Sequence, residues 1–139
     1  MSAVILGSLD IAALPAEVAP ARHWLGKLLG GDHPTIIDDV VLMACEAITN
    51  SIRHSDSGIQ DEKGETGMVT LLVLASETTM RVEVIDAGSR HNVPEVADDG
   101  PCAVNGRGLH MIEMLSAGRW GSYAHEDGRT VWFEIGIER

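Results

Sequence analysis

The segment EAITNSIRHS, residues 46–55, places four polar side chains along one ridge of a stretch that is otherwise patterned as an apolar helix. Glu46 and Asn50 are four residues apart, so on a helix they share a face, and Arg53 and His54 continue it one turn later. The residues that recur at helical spacing beside this ridge are Ile36, Val40, Met43, Ala44, Ala47, Ile48 and Ser51. The pattern predicts an amphipathic helix with a polar ridge.

The side chains on this ridge are of the types that handle phosphate groups. An amide oxygen such as that of Asn50 is a hard ligand, which is the kind that Mg²⁺ prefers. A nearby carboxylate such as Glu46 can accept a proton from an incoming hydroxyl group. The alternative is a solvated helix face with ordinary side-chain pairs, and this segment alone does not discriminate between the two.

A second motif, Asp86-Ala87-Gly88, follows an alternating stretch that predicts a β-strand. A carboxylate at a strand end can bind the polar edge of a planar ligand, and a glycine two residues later lets the backbone approach closely. Asp and Gly are also the commonest residues of simple turns. Taken alone, the motif favours a turn.

The third motif, NGRGL at residues 105–109, precedes a segment patterned as a helix. Gly106 and Gly108 leave the helix N-terminus open to phosphate groups, and Arg107 offers a charged hydrogen bond. Residues 89–105 are rich in Gly, Pro, Asn and Asp without periodicity, which is typical of a functional lid or a disordered segment. The alternative for NGRGL is a lid hinge that binds no ligand.

The order of predicted elements is β-α-α-β-β-lid-α-β-β, with residues 56–66 as a polar loop. Two hairpins are predicted, one over residues 68–88 and one around the Asp127-Gly128 pair. Strands that come in hairpins favour an antiparallel sheet. We therefore predict an α+β fold, a two-layer sandwich of a mostly antiparallel sheet with helices on one face, formed by a single domain over residues 1–139.

Composition narrows the function classes. The 139 residues carry a formal net charge of −11, which disfavours binding to nucleic-acid backbones or anionic membranes. No apolar run approaches the roughly 20 residues of a membrane span. Cys45 and Cys102 lack metal-ligand spacing and are expected to be reduced thiols, so we expect a cytoplasmic protein.

The three motifs are much more specific together than apart. A helix with ExxxN, a hairpin ending in DxG, a long loop and GxGL at a helix start resemble the ATP-binding domain of gyrase, histidine kinases and mismatch-repair ATPases, which has a Bergerat-type fold. EAITNSIRHS, VIDAG, NGRGLHMIEMLSAGRWG and GRTVWFEI resemble the bacterial anti-sigma factor serine kinases, in particular the small actinobacterial type. The resemblance covers roughly residues 8–137.

The resemblance implies a role for each motif residue. By the family pattern, Asn50 binds the Mg²⁺ that bridges the ATP phosphates, and Glu46 is the general base. Asp86 accepts the adenine amino group, and Gly88 gives room for the ring. The remaining residues implied for the nucleotide site are Arg53, His54, Gly106, Arg107, Gly108, Leu109 and Thr130, with Thr130 in the adenine network and residues 89–105 as the ATP lid.

The implied activity is ATP- and Mg²⁺-dependent phosphorylation of a serine on an anti-anti-sigma protein of the STAS type. The implied partners are that protein and a sigma factor, with a possible homodimer. Two alternatives stay open. One is an anti-sigma binding module without kinase turnover, suggested by Ser89 in place of a second glycine and by the acidic residues Glu95, Asp98 and Asp99 in the lid. The other is an α+β domain without a nucleotide site.

Overall fold

The computed structural model describes residues 3–31, 33–60, 62–63, 65–88, 107–126 and 128–137. In this part of the chain, five strands and three α-helices follow the order predicted from the sequence. The strands are β1 (Val4–Ala12), β2 (Met68–Ala75), β3 (Thr79–Asp86), β4 (Trp120–His125) and β5 (Gly128–Gly136). The helices are α1 (Val18–Leu29), α2 (Ile37–His54) and α3 (Arg107–Leu115), with 3-10 turns at Pro15–Glu17 and Asp56–Gly58.

The five strands form one sheet in the order β1-β2-β3-β5-β4, and every neighbouring pair is antiparallel. Both predicted hairpins are present, β2 with β3 and β4 with β5. The α+β sandwich with an antiparallel sheet is therefore confirmed. The register pairs Asp86 at the end of β3 with Arg129 near the start of β5, which brings the DAG motif beside the GRTVWF segment.

Alternation along the strands determines which face of the sheet packs on the helices. Val82 and Val84 of β3 are fully buried, whereas Arg81 and Glu83 between them are only half-buried. The buried face packs with the helices, as expected for a sheet covered on one side. The fully buried strand residues of this face are Val69, Leu71, Val73, Met80, Val82, Val84 and Phe133.

Helix α2 supplies much of the core from its apolar stripe. The buried residues of this helix are Val40, Met43, Ala44, Ala47, Ile48 and Ser51, as the periodicity predicts. Asp38 and Asp39 lie in its first turn and Arg53 and His54 in its last, which is the favourable arrangement for the helix dipole. The stripe fixes the rotation of the helix, so its polar ridge with Glu46 and Asn50 lies only partly buried.

Candidate functional site

Asp86 is a buried acid at the carboxyl end of β3, with only 7% of its surface exposed. Its Oδ1 accepts a hydrogen bond of 2.6 Å from the backbone N–H of Gly88. Gly88 has a φ of +73°, a left-handed conformation that favours glycine. The glycine of DAG therefore allows the chain to turn back and hold the carboxylate, a local role in addition to the room for a ring that the sequence suggests.

Burial raises the pKa of Asp86 above its ordinary value. Several neighbours act in the opposite direction and moderate the shift, namely the Ser51 hydroxyl, the Gly88 N–H, Arg129 and His125. Desolvation remains the dominant cause, so the ionised carboxylate is under-compensated in the free protein. A ligand that donates a hydrogen bond to this group would supply the missing partner.

Two buried polar atoms beside Asp86 also lack a partner. Within the described residues, the Ser51 hydroxyl and the Arg129 Nε are the two buried side-chain polar atoms without a hydrogen bond. The Ser51 hydroxyl lies near enough to lower the pKa of Asp86 but outside hydrogen-bond geometry, and the charge of Arg129 acts on the same carboxyl. Since buried polar groups are normally satisfied, such a cluster calls for an explanation. A ligand whose polar edge supplies the missing hydrogen bonds would provide one.

A short turn after α2 fixes the end of β3. Ser57, in the Asp56–Gly58 turn, is buried and its hydroxyl accepts a 2.8 Å hydrogen bond from the Ala87 N–H. The Asp56 N–H donates to the Gly88 carbonyl at 2.6 Å. Ser55 caps the turn by accepting from the Ser57 N–H. These contacts join the end of the polar-ridge helix directly to the DAG motif.

The sequence prediction of a loop over residues 56–66 misses this turn. The Ser-Asp-Ser-Gly run gives a weak signal for it, because serine and aspartate often bond to nearby backbone. Gly58 is required by sterics, since a Cβ there would lie 1.9 Å from the Ile52 carbonyl oxygen. The partner of the turn, the peptide after Asp86, lies some thirty residues away and cannot be identified from local pattern.

The β4–β5 hairpin closes tightly against the same strand end. Gly128 has a φ of +144°, and a Cβ at this position would lie 1.9 Å from the Asp86 carbonyl oxygen. Only glycine therefore fits there. Arg129 follows and pairs with Asp86 across the two strands, so their side chains leave the sheet on the same face.

Thr130 lies on the opposite face of the sheet from Asp86. It pairs with Ile85 of β3 and Tyr123 of β4, and successive residues of a strand point to opposite faces. Its hydroxyl is buried and lies 3.0 Å from Nε2 of His125. The place of Thr130 in the adenine network, implied by the family resemblance, stays a prediction. The β5 residue that shares the face of Asp86 is Arg129.

The polar ridge lies on α2, the helix that also carries Ser51. Glu46 and Asn50 are half-buried, and Asn50 immediately precedes Ser51, the buried residue beside Asp86. Arg53 is exposed, and His54 is half-buried and already engaged in an interaction. The structure therefore brings the second half of the ridge and the DAG motif together.

The NGRGL motif meets the described structure at its second half. Helix α3 begins at Arg107, so the motif does open a helix as predicted. Leu109 is fully buried in the core at the start of α3, and its place in the nucleotide site stays a prediction. The expected lid at residues 89–105, Gly106 and the side chain of Arg107 lie outside the described residues.

In the described residues no group of three or more His, Cys, Asp and Glu could hold a metal ion. The Mg²⁺ expectation does not depend on such a group, since it involves one amide and the phosphates of a ligand. The half-buried Asn50 on the ridge is of the right ligand type for that arrangement. No helix among the described residues is both long and apolar enough to cross a membrane.

Comparison with protein families supports the resemblance inferred from the motifs. The model of the histidine kinase-like ATPase domain matches residues 11–135. The chain belongs to the histidine kinase-like ATPase domain family. The match runs from the end of β1 to the end of β5, so it includes the polar ridge, the DAG motif and the final hairpin.

Curated relatives of this ATPase domain include serine-protein kinases. The chain is 29% identical over 120 residues to the serine-protein kinase RsbW of Listeria monocytogenes serotype 4a (strain HCC23), covering 78% of this chain and 73% of the relative. The same figures hold for RsbW of serotype 4b (strain CLIP80459). RsbW of serovar 1/2a (strain ATCC BAA-679 / EGD-e) is 28% identical over the same coverage.

Proposed function

We propose that this protein binds ATP at the Asp86 pocket and acts as an anti-sigma factor with serine kinase activity toward an anti-anti-sigma partner. The observation that carries the proposal is the Asp86 carboxyl, buried and flanked by the two unsatisfied atoms Ser51 Oγ and Arg129 Nε. Membership of an ATPase family and relatives named serine-protein kinases support the reaction class. We also propose that residues 1–139 form one ATPase domain.

In this proposal Asp86 selects adenine. Its Oδ1 is held by the Gly88 N–H, which leaves the remaining acceptor capacity of the carboxylate for a ligand donor. The exocyclic amino group of adenine is such a donor. Binding it would compensate the buried charge that the free protein leaves without a sufficient partner.

The phosphate end of the site is assigned to the ridge and to the start of α3. Asn50 would hold Mg²⁺, and that ion supplies neutralisation of phosphate charge when it is bound. The residues that would bind the phosphates or border them are Arg53, His54, Gly106, Arg107, Gly108 and Leu109. Thr130 stays a proposed member of the adenine network. The positive end of the α3 dipole favours the same charge. A chain with a net charge of −11 needs such local compensation to bind a triphosphate.

Glu46 is proposed as the general base. It lies one helical turn before Asn50 on the same half-buried ridge, so it faces the region to which the phosphates are assigned. Its carboxylate would take the proton of the attacking serine hydroxyl. The phosphoryl group then passes from ATP to the serine oxygen, and ADP leaves. Because phosphoryl transfer depends mainly on positioning and charge, loss of Glu46 is expected to reduce turnover more than binding.

The proposed partners are a sigma factor and a STAS-type anti-anti-sigma protein, with the protein in the cytoplasm. The strongly acidic chain suits a basic stretch of a sigma factor. We also propose a homodimer. The sheet edge at β1 exposes Val4 and Ile5 and carries no charged residue from Val4 to Leu9, which leaves an unprotected strand for pairing. Light scattering of the protein and of Ile5→Lys would test the dimer.

The kinase is tested by phosphate transfer. The protein is incubated with Mg²⁺ and ATP labelled on the γ-phosphate, together with each STAS-type protein of the same genome. The proposal predicts labelling of a serine on at least one of them, at least a hundredfold weaker in Glu46→Gln. Glu62→Gln, at an exposed position after the Asp56–Gly58 turn, is the matched control and should retain labelling. Labelling of no STAS-type protein would contradict kinase activity.

A second candidate is an anti-sigma module that binds nucleotide without turnover. One feature that favours it is Ser89, because serine in place of a second glycine is expected to stiffen the entry to the lid. Another is the negative charge of Glu95, Asp98 and Asp99, which is expected to repel phosphates. Under this alternative, nucleotide binding through Asp86 persists while transfer to every STAS-type protein is absent. The same experiment therefore separates the two functions once binding has been measured.

A further inference from the structure

Arg129 lies beside Asp86 and belongs to the GRTVWFEI motif, but the family resemblance assigns it no role. The two residues pair directly across β3 and β5, and their side chains leave the sheet on the same face. The charge of Arg129 acts on the Asp86 carboxyl and lowers its pKa against the effect of burial. The Arg129 side chain is therefore a second polar group beside the carboxyl that we assign to adenine.

The Nε atom of Arg129 is buried without a partner. It is one of two such side-chain atoms within the described residues, and the other, Ser51 Oγ, borders the same carboxyl. A guanidinium nitrogen of this kind is a donor only. A buried donor without a partner is unfavourable, so an acceptor supplied by a ligand would be stabilising.

The edge of adenine offers such an acceptor next to the group that Asp86 would bind. The exocyclic amino group is a donor, and the ring nitrogens on its two sides, N1 and N7, are acceptors. A carboxylate can accept from the adenine amino group, and a guanidinium N–H beside it can donate to the neighbouring ring nitrogen. Arg129 and Asp86 provide that order from two adjacent strands.

We propose that Arg129 is a further adenine-binding residue, whose Nε–H donates a hydrogen bond to a ring nitrogen beside the amino group that Asp86 accepts. This inference rests on the proposed binding of adenine nucleotide at Asp86. The competing explanation is that Arg129 serves only as a counter-charge for Asp86. Arg129→Lys distinguishes them, because lysine keeps the positive charge but lacks the Nε–H.

The test is calorimetric titration of the full chain with ADP, 1-deaza-ADP and 7-deaza-ADP. Each deaza analogue replaces one ring nitrogen by C–H and keeps the amino group. We expect Arg129→Lys to bind ADP about tenfold more weakly than the wild type. The wild type should bind one of the two deaza analogues about as weakly as Arg129→Lys binds ADP. Arg129→Lys should bind that analogue no more weakly than it binds ADP. Arg81→Lys, which makes the same change on the opposite face of β3, is the matched control and should bind all three nucleotides as the wild type does.

Several results would overturn the inference. Equal ADP affinity of the wild type and Arg129→Lys would do so. If Arg129→Lys lowers the affinity for ADP and for both deaza analogues by the same factor relative to the wild type, the residue acts through Asp86 alone. Wild-type binding of both deaza analogues at the affinity of ADP would exclude the ring-nitrogen contact even if no Arg129 variant folds. Absence of ADP binding by the wild type would instead reject the proposed function itself.

Discussion

The backbone N–H of Gly88 donates to Oδ1 of Asp86 at 2.6 Å, so the residue that ends β3 is held by the glycine two positions later. The carbonyl of the same Gly88 accepts from the Asp56 N–H at 2.6 Å, which links it to the turn after α2. One carboxylate oxygen is therefore fixed by the chain itself. The remaining acceptor capacity is oriented before any ligand arrives, and such preorganisation lowers the free-energy cost of binding.

Replacing Gly88 by alanine should disturb this arrangement through backbone strain. Its φ of +73° costs an alanine about 1 kcal/mol, although the space around the site would accommodate a methyl group. We expect the thermal midpoint to fall by about 3–5 °C and nucleotide affinity to fall several-fold. Differential scanning calorimetry measures the first and calorimetric titration the second.

Gly26→Ala is the control for Gly88→Ala. Gly26 lies inside α1, and a Cβ there meets no atom within 4 Å. Alanine is the better helix former by about 1 kcal/mol, so the midpoint should stay the same or rise. An equal drop in both variants would show that the conformation of Gly88 has no special importance.

Removing the Ser57 hydroxyl should loosen the junction between α2 and β3. That hydroxyl is buried and accepts from the Ala87 N–H, which would lose its partner in Ser57→Ala. We expect a loss of about 1 kcal/mol in the free energy of unfolding, measured by urea denaturation, with weaker nucleotide binding. Ser8→Ala, at an exposed position of β1, should change neither. Unchanged stability of Ser57→Ala would argue against the junction.

The raised pKa of Asp86 predicts a pH-dependent contribution to stability. Because the folded pKa lies above the unfolded value of 3.8, the folded state retains the proton longer than the unfolded chain. The stabilisation from the protonated form is full below the unfolded pKa and is lost as the pH rises through the folded pKa. Relative to wild type, Asp86→Asn should therefore gain stability as the pH rises through this window.

Urea denaturation of both proteins between about pH 3.5 and 7 measures that difference. Subtracting the curves cancels the other carboxylates, whose own titrations dominate the absolute pH profile. A difference that is flat or falls with rising pH would contradict a carboxyl that burial makes harder to ionise.

The effect of Thr130→Val on stability and nucleotide affinity tests the register between β3 and β5. The substitution removes the hydrogen-bond partner of His125, so we expect a loss of about 1 kcal/mol in stability. If the register alone decides which side chains reach adenine, nucleotide affinity should stay within about twofold of the wild type, since Thr130 lies on the face opposite Asp86. A tenfold loss of affinity without a comparable loss in Arg129→Lys would place the threonine in the adenine site instead.

The sequence predicts the parts of this molecule that depend on local periodicity. The stripe from Val40 to Ser51 predicts α2 and the rotation that exposes Glu46 and Asn50. The Asp127-Gly128 pair predicts the final hairpin, and alternation predicts β3 up to Asp86. These features depend on residues that are close in sequence, so the local sequence pattern is sufficient to predict them.

The rest depends on contacts between distant segments. Whether Arg129 or Thr130 shares a face with Asp86 is decided by a register of one residue, and a slip of one moves every side chain to the other face. Ser51 is predicted as part of an apolar stripe, and its position beside Asp86 emerges only when α2 packs on the sheet. The bond from Ala87 to Ser57 likewise joins segments thirty residues apart.

The most direct test of adenine recognition at Asp86 is thermal unfolding with and without millimolar MgATP, for the wild type and Asp86→Asn. In the variant, the side-chain carbonyl oxygen is needed by the Gly88 N–H, so the NH₂ group would face the ligand amino group, donor against donor. At about 100 times the dissociation constant, ATP adds about 2.7 kcal/mol and raises the wild-type midpoint by roughly 5–10 °C. We predict that shift for the wild type and none for Asp86→Asn. No shift in the wild type, or the same shift in both proteins, would contradict adenine recognition by Asp86.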